Sequence, residues 1–440
     1  MRWLTVLTLL TSLSSTGYAQ PQPTDPVEPA TGVSPAAPTT QQPAQAATPE
    51  QSSGGETKAD PGPDSGADIK LPAQAAPVTK LTIATWGGAY GESQKRAYFE
   101  PFTAARGLRI DSVTHDGSLD ALRRIAAKPE PAWDIVDLSS GVLDEACSEG
   151  LLVKFAPGEA PYPADREDFI PGALRECGIG SVAWSALPVY DSRAFPKRRP
   201  VSPADVFDLR QFPGKRSFPR SPRYMLELAL LADGVGPANV YATLSTPEGV
   251  NRAFAMLEKV RGETMWWQSA KEPIDHLRDR KAALALAYNG RAFSAIVAER
   301  QPFVMLWSGQ IYDVNLWGIL AASPRKDAAR DFIAFASAPQ QLAAQARWFP
   351  YGPARRSANP LVASHAELPL DMSDYLPTSD RNFKSALAFD AAFWARAGTE
   401  LSQRFEDWIE GRIDAKGDAI SESAAETAPT VPVRRQGVAR

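Results

Sequence analysis

Histidine, cysteine and long apolar runs are scarce in this chain. Three histidines, His115, His276 and His365, are spread over 440 residues with no ligand-like spacing, and no HExxH, CxxC or GxSxG string occurs. Metal and nucleophile chemistry therefore have no recognisable foothold, and neither a catalytic residue nor a metal ligand nor a cofactor is expected. The 47 basic and 51 acidic residues nearly cancel, to a net charge of −4. Their signs interleave, so no basic stripe is available for nucleic acid. A glycosidase would need a carboxylate pair, and nothing singles one out among the acids. The string Gly178 to Ala183 matches GxGxxA, but a strand-like run follows it where a dinucleotide site needs a helix.

The apolar run that does exist is short and lies at the start. Met1-Arg2-Trp3 reads as a basic n-region, Leu4 to Leu13 as an apolar h-region, and Gly17-Tyr18-Ala19 as a small-x-small cleavage site. The run is shorter than the about 20 residues that span a bilayer, so the expectation is an exported periplasmic protein cleaved after Ala19. No cysteine follows the cleavage site to carry a lipid. Residues 20–79 are rich in Pro, Ala, Gln, Thr and Ser and too poor in large apolar residues to offset ordering entropy, which predicts a disordered leader. A disordered tail is expected over 416–440. Between them lie roughly 340 residues, enough for two lobes rather than one core. Only two cysteines are present, Cys147 and Cys177. In an exported protein such a pair favours a disulfide, with two buried thiols as the alternative.

From Lys80 the pattern alternates: strand 80–86, helix 92–105, strand 108–114, helix 117–127, strand 133–138, helix 141–149. Short β-branched runs between helices imply a mainly parallel sheet with crossovers. Ser181 to Tyr190 reads as an extended strand able to carry the chain from the first lobe to the second. Helices are expected at 224–231 and 247–261, a strand at 282–288, and a β-rich return crossing from Phe303 to Leu320. Helices at 326–337, 339–347 and 386–411 complete the pattern. The apolar stripe of the last one, Phe393, Trp394, Leu401, Phe405, Trp408 and Ile409, reads as packing.

Candidate binding residues cluster at strand ends, where open α/β sheets hold ligands. Trp86 and Tyr90 flank Gly87-Gly88 after the first strand; they suit either a core edge or a stacking face for a cation or aliphatic chain. Tyr288 and Arg291 follow the strand near 285. Asp313, Asn315 and Trp317 alternate, so a strand points all three to one face. A buried carboxylate and amide there need a partner, either a ligand or a salt bridge from Asp313 to Arg291.

At these residues the chain resembles the periplasmic solute-binding proteins of ABC importers, specifically the spermidine/putrescine-binding group, from about Lys80 to Gly411. TWGGAY, WDIVDL, EGLL, FPGKR, LELALLADGV, AYNGR, YDVNLW, AARDFIAFA and PYGPARRSA match its landmarks in order. The resemblance implies a non-enzymatic α/β protein of the two-lobed, type II-like periplasmic binding fold, with the cleft at a hinge of crossover strands. Lobe 1 would comprise 80–187 plus 304–356, and lobe 2 188–303 plus 357–415. It implies ligand contacts from Trp86, Tyr90, Ser139, Tyr224, Tyr288, Asp313 and Asn315, and as partners a membrane permease and its ATPase, with the receptor itself monomeric. Polyamine binders carry acids where this chain has Ser221 to Tyr224, and Asn315 stands at the amine-binding carboxylate. With Arg220, Arg223 and Arg291 added, a small amine-containing solute is expected, polyamine-like or, fitting better, a monoamine or a zwitterion with its carboxylate near Arg291 and its ammonium on Asp313 or Asp116. A ligand-sensing module and a secreted hydrolase are the competing expectations.

Overall fold

Lys80–Thr85 forms β1, one exposed lysine followed by five buried residues. Both faces of this strand are covered, so Thr82 and Thr85 are buried along with Leu81, Ile83 and Ala84. The computed structural model describes residues 79–420, apart from positions 130, 157, 159, 160, 162 and 164. The expected signal peptide, the leader up to residue 78 and the tail beyond 420 lie outside the described residues.

After β1 the chain turns at Gly87 and Gly88, both at positive φ. A β-carbon on Gly87 would come within 2.6 Å of Thr114 Oγ1, so glycine is required there on two counts. This turn lets the helix begin four residues earlier than the sequence predicts: α1 is Gly88–Gln94, followed by a π-helical turn Lys95–Phe99 and then α2, Glu100–Arg106. Then come β2 (Arg109–Thr114), α3 (Leu119–Ala126, with Ser118 as its N-cap), β3 (Ile135–Ser139) and α4 (Ser140–Ser148). A two-residue β4, Leu174–Arg175, precedes β5, Gly178–Asp191, whose fourteen residues are all buried.

The next segment holds α5 (Pro203–Val206), β6 (Arg216–Pro219), α6 (Met225–Ala232), α7 (Val240–Leu244) and α8 (Pro247–Glu258). It continues with β7 (Thr264–Trp267), α9 (Glu272–Arg278), β8 (Leu284–Tyr288) and α10 (Asn289–Val297). The return run splits at a turn over Trp307–Gly309 into β9 (Phe303–Met305) and β10 (Ile311–Ile319). Three helices follow: α11 (Lys326–Ala336), α12 (Pro339–Ala346) and α13 (Ala391–Ile409). The last starts later than expected because Leu387 and Ala388 pair with β10 and Asp390 then caps the helix through Phe393 N at 2.8 Å. Residues beyond 415 remain ordered as far as 420, where Ile413 bridges Ala419.

The main sheet runs β2-β1-β3-β10-β5-β8-β6-β7. Strands β1, β2 and β3 pair in parallel, as do β6, β7 and β8, while β5 and β10 are antiparallel to their neighbours. One apolar core gathers residues between 81 and 183 with others between 312 and 358. A second gathers residues between 190 and 311 with α13, including Phe393, Trp394, Leu401, Phe405 and Trp408. The chain thus passes from one core to the other along β5 and back along β10, which gives two α/β lobes joined by crossing strands. Cys147 at the end of α4 is bridged to Cys177, just before β5, tying the crossing strand to the helix that packs beneath it.

Candidate functional site

Strand register builds the site. Across β3 and β10, Ser139 lies opposite Asn315 and Asp137 opposite Trp317. Across β10 and β5, Asp313 lies opposite Trp184, and across β5 and β8 Ala186 lies opposite Tyr288. Residues opposite one another share a face and the face alternates along a strand. Asp137, Ser139, Asn315, Asp313, Trp184 and Tyr288 therefore form one row along a single face over four strands, spanning both cores.

Aromatic rings make up one end of that row. The Trp184 indole donates from Nε1 to Asn315 Oδ1 at 3.0 Å, and its ring meets Tyr288 edge-on at 5.4 Å and Tyr224 at 6.3 Å. Trp267 stands 6.4 Å from Tyr288 and its indole N–H is buried without a hydrogen-bond partner. Tyr224 is the N-cap of α6 with φ of 67°, a left-handed conformation that costs a non-glycine residue about 1–2 kcal/mol. Such strain persists only where the surroundings hold it, and it clusters at functional sites. Buried Glu227, three residues on, faces the Tyr224 backbone and is itself fixed: its Oε1 accepts from Trp394 Nε1 at 2.6 Å and from the Tyr241 hydroxyl at 3.1 Å. Burial pushes its carboxyl up to about 7 against these hydrogen bonds and one from the Tyr224 backbone.

The other end is polar and deep. Trp86 is 3 % exposed; its ring packs 4.9 Å from His115 and leaves no room for a β-carbon on Gly117. Tyr90 is 1 % exposed and packs 5.4 Å from Tyr351. Of the two readings offered by the sequence, a core edge describes both residues better than an open stacking face. The Tyr90 hydroxyl and Gln94 Nε2 both donate to Asp137 Oδ2, each at 2.7 Å. Burial pushes the Asp137 carboxyl up to about 7, opposed by Tyr90, Gln94, Asn315 and Trp86. His115 accepts from Gly117 N on Nδ1 and so donates from Nε2 to the Asp137 carbonyl, both at 2.9 Å. Burial lowers its pKa to about 4, and the ring is a neutral pin.

Asp313 is buried, and burial raises it to about 6; the Ser140 hydroxyl, the Val314 N–H at 2.7 Å and the charge of Arg175 work the other way. Arg291, in the first turn of α10, is half-buried and close enough to Tyr288 and Tyr351 to favour their ionised forms. Asp116 stands apart from the row: it is exposed, and its Oδ1 accepts from Ser118 N at 2.9 Å and Ser118 Oγ at 2.7 Å. Four neighbours of the site were not singled out from sequence: Trp184, Asp137, Trp267 and Tyr351. An acid inside the apolar run Ile135–Ser139 and a tryptophan on the crossing strand were the available signals. Among the described residues no cluster of His, Cys, Asp or Glu is suited to a metal, and no helix is long and apolar enough to cross a membrane.

Residues 97–369 match the family described as bacterial extracellular solute-binding protein. A gamma-aminobutyric acid-binding protein of Pseudomonas aeruginosa is 37 % identical over 328 residues, 74 % of this chain and 90 % of that protein. Among solved structures, an ABC transporter substrate-binding protein from Bradyrhizobium japonicum superimposes with a TM-score of 0.65 at 26 % identity, covering 75 % of this chain and 99 % of that one. The Atu4243–GABA receptor does so with a TM-score of 0.61 at 26 % identity, covering 75 % and 97 %.

Proposed function

The chain belongs to the family of bacterial extracellular solute-binding proteins, the solute-capturing components of ABC transporters, and from that premise we propose that it binds a small ω-amino acid of the γ-aminobutyrate kind. One observation carries the reading. Tyr224 and Tyr288 stand 6.3 Å apart; the charges of Asp313 and Arg223 act on the first and those of Arg223 and Arg291 on the second. Opposite charges thus flank one aromatic cluster, as the carboxylate, apolar stem and ammonium of an ω-amino acid require. Arg291 takes the carboxylate, Asp313 the ammonium, and Trp184, Tyr224 and Tyr288 the stem.

The finer resemblance to the spermidine/putrescine-binding group does not extend to its ligand on this reading. A polyamine would set a second ammonium against Arg291, and like charges in a desolvated cleft repel by several kcal/mol. The names of the relatives point the same way, being receptors for γ-aminobutyrate rather than enzymes. Ligand contacts on both lobes, 80–187 plus 304–356 and 188–303 plus 357–415, would favour closure over the solute by population shift. The closed form would then be delivered in the periplasm to a permease and its ATPase, or read by a receptor protein, two roles that share the same binding step. Micromolar affinity corresponds to about −8 kcal/mol, within reach of two charge-assisted pairs and an aromatic enclosure. A thermal-shift panel of γ-aminobutyrate, putrescine, spermidine, simple amines and carboxylates tests the proposal; a shift with putrescine and none with γ-aminobutyrate would refute it.

A further inference from the structure

Asp137 is the hub of the polar end of the site, and no part of the proposed contact set uses it. It is fully buried, and the groups facing it come from every element packed around it. Tyr90, Gln94 and Tyr98 come from the helical stretch after β1, Trp86 from the end of β1, Asn315 from β10 and Tyr351 from the segment after α12. His115 is bound to its carbonyl. Oδ2 takes both Tyr90 and Gln94, while Oδ1 and the Trp86 indole N–H are each buried without a hydrogen-bond partner, and Trp86 and Asn315 both favour the charged form of this carboxyl. Asn315 sits between the carboxylate and the aromatic cluster: its amide faces Asp137 and its Oδ1 accepts from Trp184 Nε1.

We propose that Asp137 is a positioning residue for solute binding, orienting Trp86, Tyr90 and the Asn315 amide, and through Asn315 the Trp184 indole. A carboxylate accepts on every side, so it alone suits a ring of donors. An asparagine in its place keeps the shape but must turn a donor toward either the Oδ2 pair or the Trp86 and Asn315 pair. With Asn315 turned, the Trp184 N–H loses its acceptor, and the wall that encloses the solute stem loosens. This proposal rests on the assignment of the Trp184, Tyr224 and Tyr288 cluster to the solute.

The experiment compares wild type and Asp137→Asn by calorimetric titration with γ-aminobutyrate, by thermal unfolding, and by the indole ¹⁵N–¹H resonance of Trp184, assigned with a Trp184→Phe variant. The expected result is an affinity lowered about ten- to a hundredfold, the loss typical of a charged hydrogen-bond partner, with the unfolding temperature retained and the Trp184 resonance displaced. Affinity and resonance both equal to wild type would overturn the proposal. A fall in unfolding temperature with affinity unchanged would also overturn it, leaving Asp137 a structural role only. If wild type itself ignores γ-aminobutyrate, the functional reading fails, and the Trp184 resonance still decides this one: displaced in the variant it supports the relay, unmoved it refutes it.

Discussion

Replacing Glu227 with glutamine should make the protein more stable than wild type by an amount that grows with pH. In the folded state burial raises this carboxyl to about 7 from an ordinary value of 4.5. The folded state therefore holds a proton that the unfolded chain releases at lower pH. By linkage, its contribution is fully present below about pH 4.5 and is lost as pH rises through the interval to 7, flattening above. A displacement of about 2.5 units is worth about 3 kcal/mol at 1.36 kcal/mol per unit. The substituted amide would mimic the protonated form at every pH, since its carbonyl still accepts from Trp394 and Tyr241. The difference in unfolding free energy, variant minus wild type, should therefore rise by about 3 kcal/mol between pH 4.5 and 7.5, read from urea titrations at matched ionic strength. All other titrating groups cancel in that difference, His115 included, whose lowered pKa acts in the opposite sense. A difference that stays flat with pH would refute the claim that burial dominates at Glu227.

Serine at both Cys147 and Cys177 should cost about 3–4 kcal/mol by the chain-entropy estimate for a loop of this size, and reductant should lower the wild-type urea midpoint but not that of the double variant. Asp134 accepts from Thr82 N at 2.8 Å, Ser323 Oγ at 2.6 Å and Arg325 Nε at 2.9 Å. Asp134→Ala strands those donors and should cost about 3–5 kcal/mol, again by urea unfolding. Gly117→Ala must take up a φ of 71° and displace the Trp86 ring, so thermal unfolding should reveal a loss of about 1–3 kcal/mol. Arg291→Met should weaken γ-aminobutyrate binding by about 2–5 kcal/mol, the cost of truncating one partner of a buried charge pair, as read by calorimetric titration.

Much of the frame was legible because local signals agreed with one another. Short β-branched runs between amphipathic segments located β1, β2, β3, β5 and β8 within a few residues, whereas the return crossing expected as one run from Phe303 to Leu320 is broken into β9 and β10. Less visible were β6 and β7, four residues each and ending in proline or in two tryptophans, because the pairing of β6 with β7 and β8 is decided by the sheet. The later start of α13 has the same origin, since the propensity of residues 386–390 yields to pairing with β10. At the site, period-two alternation correctly placed Asp313 and Asn315 on one face. What the sequence could not supply was register. Trp184 enters the site because it stands opposite Asp313, and Asp137 because it lies one step below Ser139; both facts need β5 and β3 on either side of β10. Asp116 shows the converse: a carboxylate beside a strand end finds its partner two residues away, in Ser118.

The most direct test is an isothermal titration of the protein, stripped of carried-over solute by unfolding and refolding, with γ-aminobutyrate and putrescine in parallel. Saturable one-to-one binding of γ-aminobutyrate, in the micromolar range or tighter, with no heat from putrescine, is the predicted result. Binding of putrescine with none of γ-aminobutyrate would contradict the assignment of Arg291 and Asp313 as the two ends of a zwitterion site.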